Sequence, residues 1–239
     1  MKKSIIVFLL ISVLLCSCAK SGSAPAKEPT DILPQVMDTN EYLLYQNIFF
    51  NDMADDYVGL TVQKTGVFTS IYDAFNGRTR YYVWGYYDNT KCCDWQWELV
   101  IDDTSDLPAV GSLVEVKGTM RKSDEALDGY WIDGVSIKSK QEYIGNGCDI
   151  QMTTMSATLE RVQIINMQQF PDVFEGKAVS LYGRIYTPTE IQHPYYDNAW
   201  LQQFTTTDDV PAIGSTAIVS GTFSRGIIRD CTVDSTSLY

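Results

Sequence analysis

Asp106-Leu107-Pro108-Ala109-Val110-Gly111-Ser112 returns later in the chain as Asp209-Val210-Pro211-Ala212-Ile213-Gly214-Ser215, at an offset of 103 residues. Pro108 and Pro211 cannot donate to a strand ladder, so each ends whatever strand precedes it. Gly111 and Gly214 can take the positive φ that a tight turn needs just before the next strand. Each turn runs into a segment that reaches a glycine, Gly118-Thr119-Met120 and Gly221-Thr222-Phe223. A second match lies upstream. Tyr57-Val58-Gly59-Leu60-Thr61-Val62 with Gly66-Val67-Phe68-Thr69 aligns with Phe174-Glu175-Gly176-Lys177-Ala178-Val179 with Gly183-Arg184-Ile185-Tyr186, at an offset of 117. Between them Tyr86-Tyr87-Asp88-Asn89 meets Tyr195-Tyr196-Asp197-Asn198. Three matches in one order indicate two copies of a single unit, residues 36–143 and 150–239.

Each copy opens with a helical pattern. Tyr42, Tyr45, Phe49 and Met53 share one face in the first. Leu159, Val162, Ile165 and Gln169 do so in the second, with Ser156 placed as its N-cap. Alternating runs follow. Val62, Lys64, Gly66 and Phe68 interleave with Thr61, Gln63, Thr65 and Val67, and Val114, Val116 and Gly118 interleave with Leu113, Glu115 and Lys117. Such period-2 runs, broken by turn residues, argue for antiparallel sheet. A glycine inside a strand marks a sharp bend, as at a barrel corner. The expected fold is mostly β: two tandem small antiparallel β-barrels of the OB-like class, each preceded by an α-helix.

The N-terminus sets an address. Lys2 and Lys3 lead into an apolar run from Ile5 to Leu15, too short to cross a bilayer and shaped like a secretory signal. Leu15-Cys16-Ser17-Cys18 resembles the bacterial lipobox. The resemblance implies cleavage before Cys18, lipid attachment to the Cys18 thiol, and a chain anchored outside the cytoplasm at a bacterial cell membrane or outer membrane. An ordinary cleaved signal is the alternative. Residues 1–17 are then signal peptide, and 18–35, rich in Ser, Ala, Pro and Lys, a flexible tether. Losing two lysines takes the formal net charge from −12 to −14. That charge argues against a nucleic-acid partner and leaves a protein or a glycan.

A further resemblance covers the first copy. Asp88-Asn89-Thr90-Lys91-Cys92-Cys93-Asp94-Trp95-Gln96-Trp97-Glu98-Leu99, followed by the turn and its strand, resembles bacterial lipoproteins and membrane proteins of no assigned activity. These carry a Cys-Cys pair in an OB-like β-domain, then a spacer, Glu and an apolar residue. Cys92-Cys93 and Glu98-Leu99 match, whereas Asp94–Trp97 replaces the small spacer of that pattern. The resemblance implies a fold and a location, not an activity.

Chemistry is expected in the part of copy one that copy two lacks. Three arrangements are open for Cys92-Cys93: structural thiols or disulfides to Cys148 or Cys231, a strained vicinal disulfide, or a soft-metal site for zinc or copper completed by Asp94 and Glu98. A disulfide between Cys148 and Cys231, near the two ends of copy two, is the other pairing expected. The aromatic strip Tyr82, Trp84, Tyr86, Trp95 and Trp97 is denser than a half-buried strand pair needs, so it is expected to present a ligand surface. His193, the single histidine, is expected to be a solvated loop residue. With one histidine, no Gly-rich phosphate loop and no Gly-x-Ser-x-Gly elbow, an enzyme is not expected. The leading reading is a non-catalytic, envelope-associated binding module without a cofactor. The second is soft-metal handling or thiol redox sensing through Cys92-Cys93.

Overall fold

The computed structural model describes residues 54–86, 94–127, 129–145, 147–194 and 199–235. The lipobox, the tether, the helix expected before the first copy and Cys92-Cys93 lie outside them.

In the first copy, β1 (Thr61–Asp73), β2 (Arg78–Tyr86), β3 (Asp94–Leu99), β4 (Leu113–Lys122) and β5 (Tyr130–Gln141) close a barrel in the order β1-β2-β3-β5-β4. A long β1 makes this closure. Its first half pairs with β4 and its second half with β2, with Val67 shared between the ladders. Val62, Lys64, Gly66 and Phe68 face inward as their alternation requires, and Trp95, Trp97 and Leu99 from β3 fill the interior.

The second copy repeats this plan in β7 (Ala178–Thr187), β8 (Glu190–Gln192), β9 (Leu201–Thr206), β10 (Thr216–Ser224) and β11 (Ile227–Asp234). The correspondence extends to single hydrogen bonds. Gly111 N–H donates to Phe68 O and Gly214 N–H to Ile185 O, both at 2.8 Å, while Gly59 N–H donates to Met120 O and Gly176 N–H to Phe223 O. Val62 faces Gly118 across β1 and β4, and Val179 faces Gly221 across β7 and β10. The turn glycines take the positive φ that their sequence context required, +96° at Gly111 and +91° at Gly214. The copies are not identical. Two residues, β6 (Ile150–Gln151), add in parallel to the edge of β7, so the second copy is a six-stranded sheet in the order β10-β11-β9-β8-β7-β6, in which β10 also pairs with β7. Only the first copy is a closed five-stranded barrel; the second is a six-stranded sheet, and β3 pairs with β5 and β9 with β11 in parallel, so the expectation of two antiparallel barrels is corrected.

Helix α1 (Ala157–Gln169) and the single turn α2 (Pro171–Phe174) connect β6 to β7. Ser156 Oγ caps α1 by accepting from Leu159 N–H. The face that α1 buries differs from the apolar stripe in its sequence. Leu159, Glu160, Gln163, Ile164 and Met167 point inward, whereas Ile165 is 39% exposed. Two polar side chains thus take places on the core face.

The first barrel has its own core, and the core of the second copy also takes in Ile71, Tyr82 and Trp84 of the first. Along β2, Val83 faces the first barrel, and its neighbours Tyr82 and Trp84 face the other way, into a cluster with Met152, Leu159, Leu181, Phe204 and Phe223 of the second copy. Five hydrogen bonds stitch this seam. Trp84 Nε1 donates to Thr154 O at 2.9 Å, and Asn166 grips the end of β1 by accepting from Ala74 N–H and donating to Tyr72 O. Asp94 of β3 accepts from both the N–H and the hydroxyl of Thr158, supplying a carboxylate to the first turn of α1, where unpaired N–H groups and the helix dipole favour it.

Candidate functional site

The aromatic strip is core. Tyr82, Trp84, Trp95 and Trp97 are all buried, and Tyr86 is half-buried with its ring edge-on to Trp84 at 5.4 Å. Alternation does send Tyr82 and Trp84 out of the barrel, but the second copy covers them. Trp95 and Trp97 enclose Lys64, whose ammonium lies 3.4 Å and 4.7 Å from their ring centres. Gly85 belongs to this packing, since a Cβ there would sit 2.6 Å from the Trp95 ring. The strip therefore supplies no open ligand surface along these four residues.

The carboxylates expected beside the cysteine pair are engaged elsewhere. Both Asp94 oxygens serve Thr158. Glu98 Oε1 accepts from Arg80 at 2.7 Å and its Oε2 from Leu127 N–H. Arg80 also holds Asp73, at 2.8 Å. Among the described residues no group of three His, Cys, Asp or Glu side chains could hold a metal ion.

Cys148 and Cys231 are not joined. Cys231 follows the inward face of β11, where its thiol donates to Ile228 O and its pKa rises to about 11 through burial. Cys148 lies just before β6, outside that core. Thiol reagents are expected to leave Cys231 of the native protein unlabelled at pH 8 and to label it once urea unfolds the chain. Labelling at equal rates in both states, read by mass spectrometry, would contradict the burial.

His193 is also buried, against expectation, at 1% exposure with its ring edge-on to Trp200. Burial pushes its pKa down, with Asp94 pulling up and Arg161 down. Nearby, burial holds the Glu160 carboxyl well above the ordinary range. The indole of Trp200 opposes this and Asp94 reinforces it, although Trp200 Nε1 makes no hydrogen bond of good geometry. An acid whose pKa is raised on folding contributes stability below its unfolded value, here 4.5, and loses it as pH rises. A histidine with a lowered pKa acts in the opposite sense, losing stability as pH falls through 6.5. Glu160→Gln should therefore remove a decline in melting temperature above pH 4.5. An unchanged pH profile would show that Glu160 does not titrate within the fold.

An open cleft of about 650 Å³ lies on the seam. It is bounded by Tyr72 and Thr79 of the first barrel, by Val110 of the repeated turn, by the Cys148–Gln151 segment, and by Gln163, Phe174 and Lys177 of the second copy. Its volume falls within the ~300–1,000 Å³ of small-molecule sites. Asn166 fixes the β1 side at Tyr72, and the Tyr72 ring meets Phe174 edge-on at 6.3 Å. Two buried amide atoms at this cleft find no hydrogen-bond partner among the described residues, Nε2 of Gln163 and Oε1 of Gln151. The sequence offered little sign of either glutamine, because Gln163 sits in a helix and Gln151 in a two-residue strand, with no motif around either.

No protein-family model and no curated protein matches this chain. Among the described residues no helix is long and apolar enough to cross a membrane.

Proposed function

We propose that this protein is a non-catalytic binding module, held by a lipid on Cys18 at the outer face of a bacterial membrane, that takes a small ligand into the cleft between its two OB-like copies. The observation that carries this reading is the buried, unpartnered Gln163 amide at a cleft of ligand size. Buried polar groups are almost always paired, and an exception calls for an explanation. The groups around the cleft suit holding rather than reacting. They are amides, an ammonium, a carboxylate bonded to Ala178 N–H, and a Cys148 thiol whose pKa is raised by burial and by Asp149. The alternative of soft-metal handling through Cys92-Cys93 is the weaker one, because the oxygens of Asp94 and Glu98 already have partners.

Native mass spectrometry of the full chain, after exposure to the small-molecule fraction of a bacterial envelope extract, tests the proposal. Wild type should retain a small adduct, and Val173→Trp, which fills the cleft mouth, should lose it while melting at the wild-type temperature. An adduct kept by both proteins would place binding elsewhere. No adduct on either would remove the binding reading.

A further inference from the structure

We infer that the ligand of this cleft is a short zwitterionic peptide with apolar side chains. The inference rests on the binding reading above and adds its chemistry.

The inner surface offers one donor and one acceptor of amide type. Gln163 Nε2 needs an acceptor and Gln151 Oε1 needs a donor. A peptide group carries both, a carbonyl beside an N–H. A buried polar group left unpaired is costly, so a ligand that pairs both is favoured over one that pairs neither.

The rim offers two opposite charges that do not pair with each other. Lys177 is exposed and makes no ion pair or side-chain hydrogen bond among the described residues. Asp149 commits Oδ2 to Ala178 N–H at 2.8 Å. A carboxylate and an ammonium on one small molecule match this pair. Such a molecule has no net charge, so a protein of −12 does not repel it.

The walls decide between a peptide and a sugar. Tyr72 and Phe174 meet at 79°, so they form a corner rather than the flat platform on which a sugar ring stacks. Val173 and Met155 line the same cleft. An apolar side chain can cover these residues, whereas a hydroxyl-covered ring would leave polar groups unpaired against them.

Calorimetric titration of the full chain with a pool of apolar tripeptides tests the inference. The pool with free termini should bind saturably at one site. Acetylating or amidating the termini should weaken binding at least tenfold. Lys177→Gln should abolish the difference between free and amidated peptides. Gln163→Leu should weaken binding at least tenfold without lowering the melting temperature, because it removes an unsatisfied buried donor. Equal affinity for free and capped peptides would overturn the inference. Binding of a neutral trisaccharide in place of the peptides, lost in Val173→Trp, would also overturn it and leave the binding reading standing. Binding of neither, together with no adduct by native mass spectrometry, would overturn both.

Discussion

Trp84→Ala is expected to destabilise the protein by about 3–5 kcal/mol, the range for removing a buried tryptophan from a core. Trp84 is a seam residue. It leaves β2 on the face away from the first barrel, packs into the cluster that holds Leu159, Leu181 and Phe223, and gives Thr154 O a donor. Alanine opens a cavity between the copies and removes that donor, a hydrogen bond worth about 1 kcal/mol by itself. Because the lost contacts join the two copies, unfolding should also become less cooperative. Tryptophan fluorescence and thiol labelling at Cys231 should report one transition in the wild type and two in the variant. A loss below about 1 kcal/mol with coincident transitions would show that Trp84 does not join the copies.

Arg80→Ala is expected to cost a similar amount, about 3–5 kcal/mol, for an electrostatic reason. Arg80 sits between two carboxylates, Asp73 at 2.8 Å and Glu98 at 2.7 Å, and also donates to Glu125 O. Its side chain is 13% exposed and that of Glu98 7%. Removing the guanidinium strands a carboxylate in the protein interior. Burial alone would raise the Asp73 pKa, but hydrogen bonds from Asn76 and Arg80 outweigh it and hold the carboxyl below its ordinary 3.8. A lowered carboxyl pKa gives stability that is present above 3.8 and lost as pH falls further. The gap between wild type and Arg80→Ala should therefore be full at pH 7 and narrow below pH 4. Denaturant titration at both values measures it. A gap independent of pH would mean that Arg80 acts by packing alone. One of its hydrogen bonds runs to Glu98, the carboxylate that the sequence suggested as a metal ligand.

The fold was legible where backbone chemistry dictated it. Pro108 and Gly111, with Pro211 and Gly214, mark the same turn twice, and the structure repeats the hydrogen bonds of that turn at the offsets of 117 and 103 residues. Strand alternation also held: Lys64 shares the inner face of β1 with Val62, Gly66 and Phe68. What lay between the copies was not legible. Alternation says that Tyr82 and Trp84 leave the first barrel; it does not say that a second copy waits there. The helix misled for a related reason. Leu159, Val162 and Ile165 form an apolar series, but α1 presents Leu159, Gln163, Ile164 and Met167 to the core. A hydrophobicity pattern cannot anticipate a face that buries Glu160 and Gln163. The Cys148–Cys231 pairing failed because proximity of chain ends does not fix where side chains point, and Cys231 turns into its own sheet. The cleft was hidden for all these reasons together. Its walls come from a strand end, a turn, a linker and a helix, and its most informative atom belongs to a glutamine with no motif around it.

The central claim is that binding occurs on the seam rather than at the aromatic strip of the first barrel. The most direct measurement is the side-chain nitrogen–proton spectrum of the full chain during titration with the tripeptide pool. Binding on the seam shifts the amide signals of Gln163 and Gln151 and leaves unmoved the Trp95 indole signal, whose N–H is held by Tyr86 O. Shifts at Trp95 with both glutamines silent, or no shift in any of the three, would contradict it.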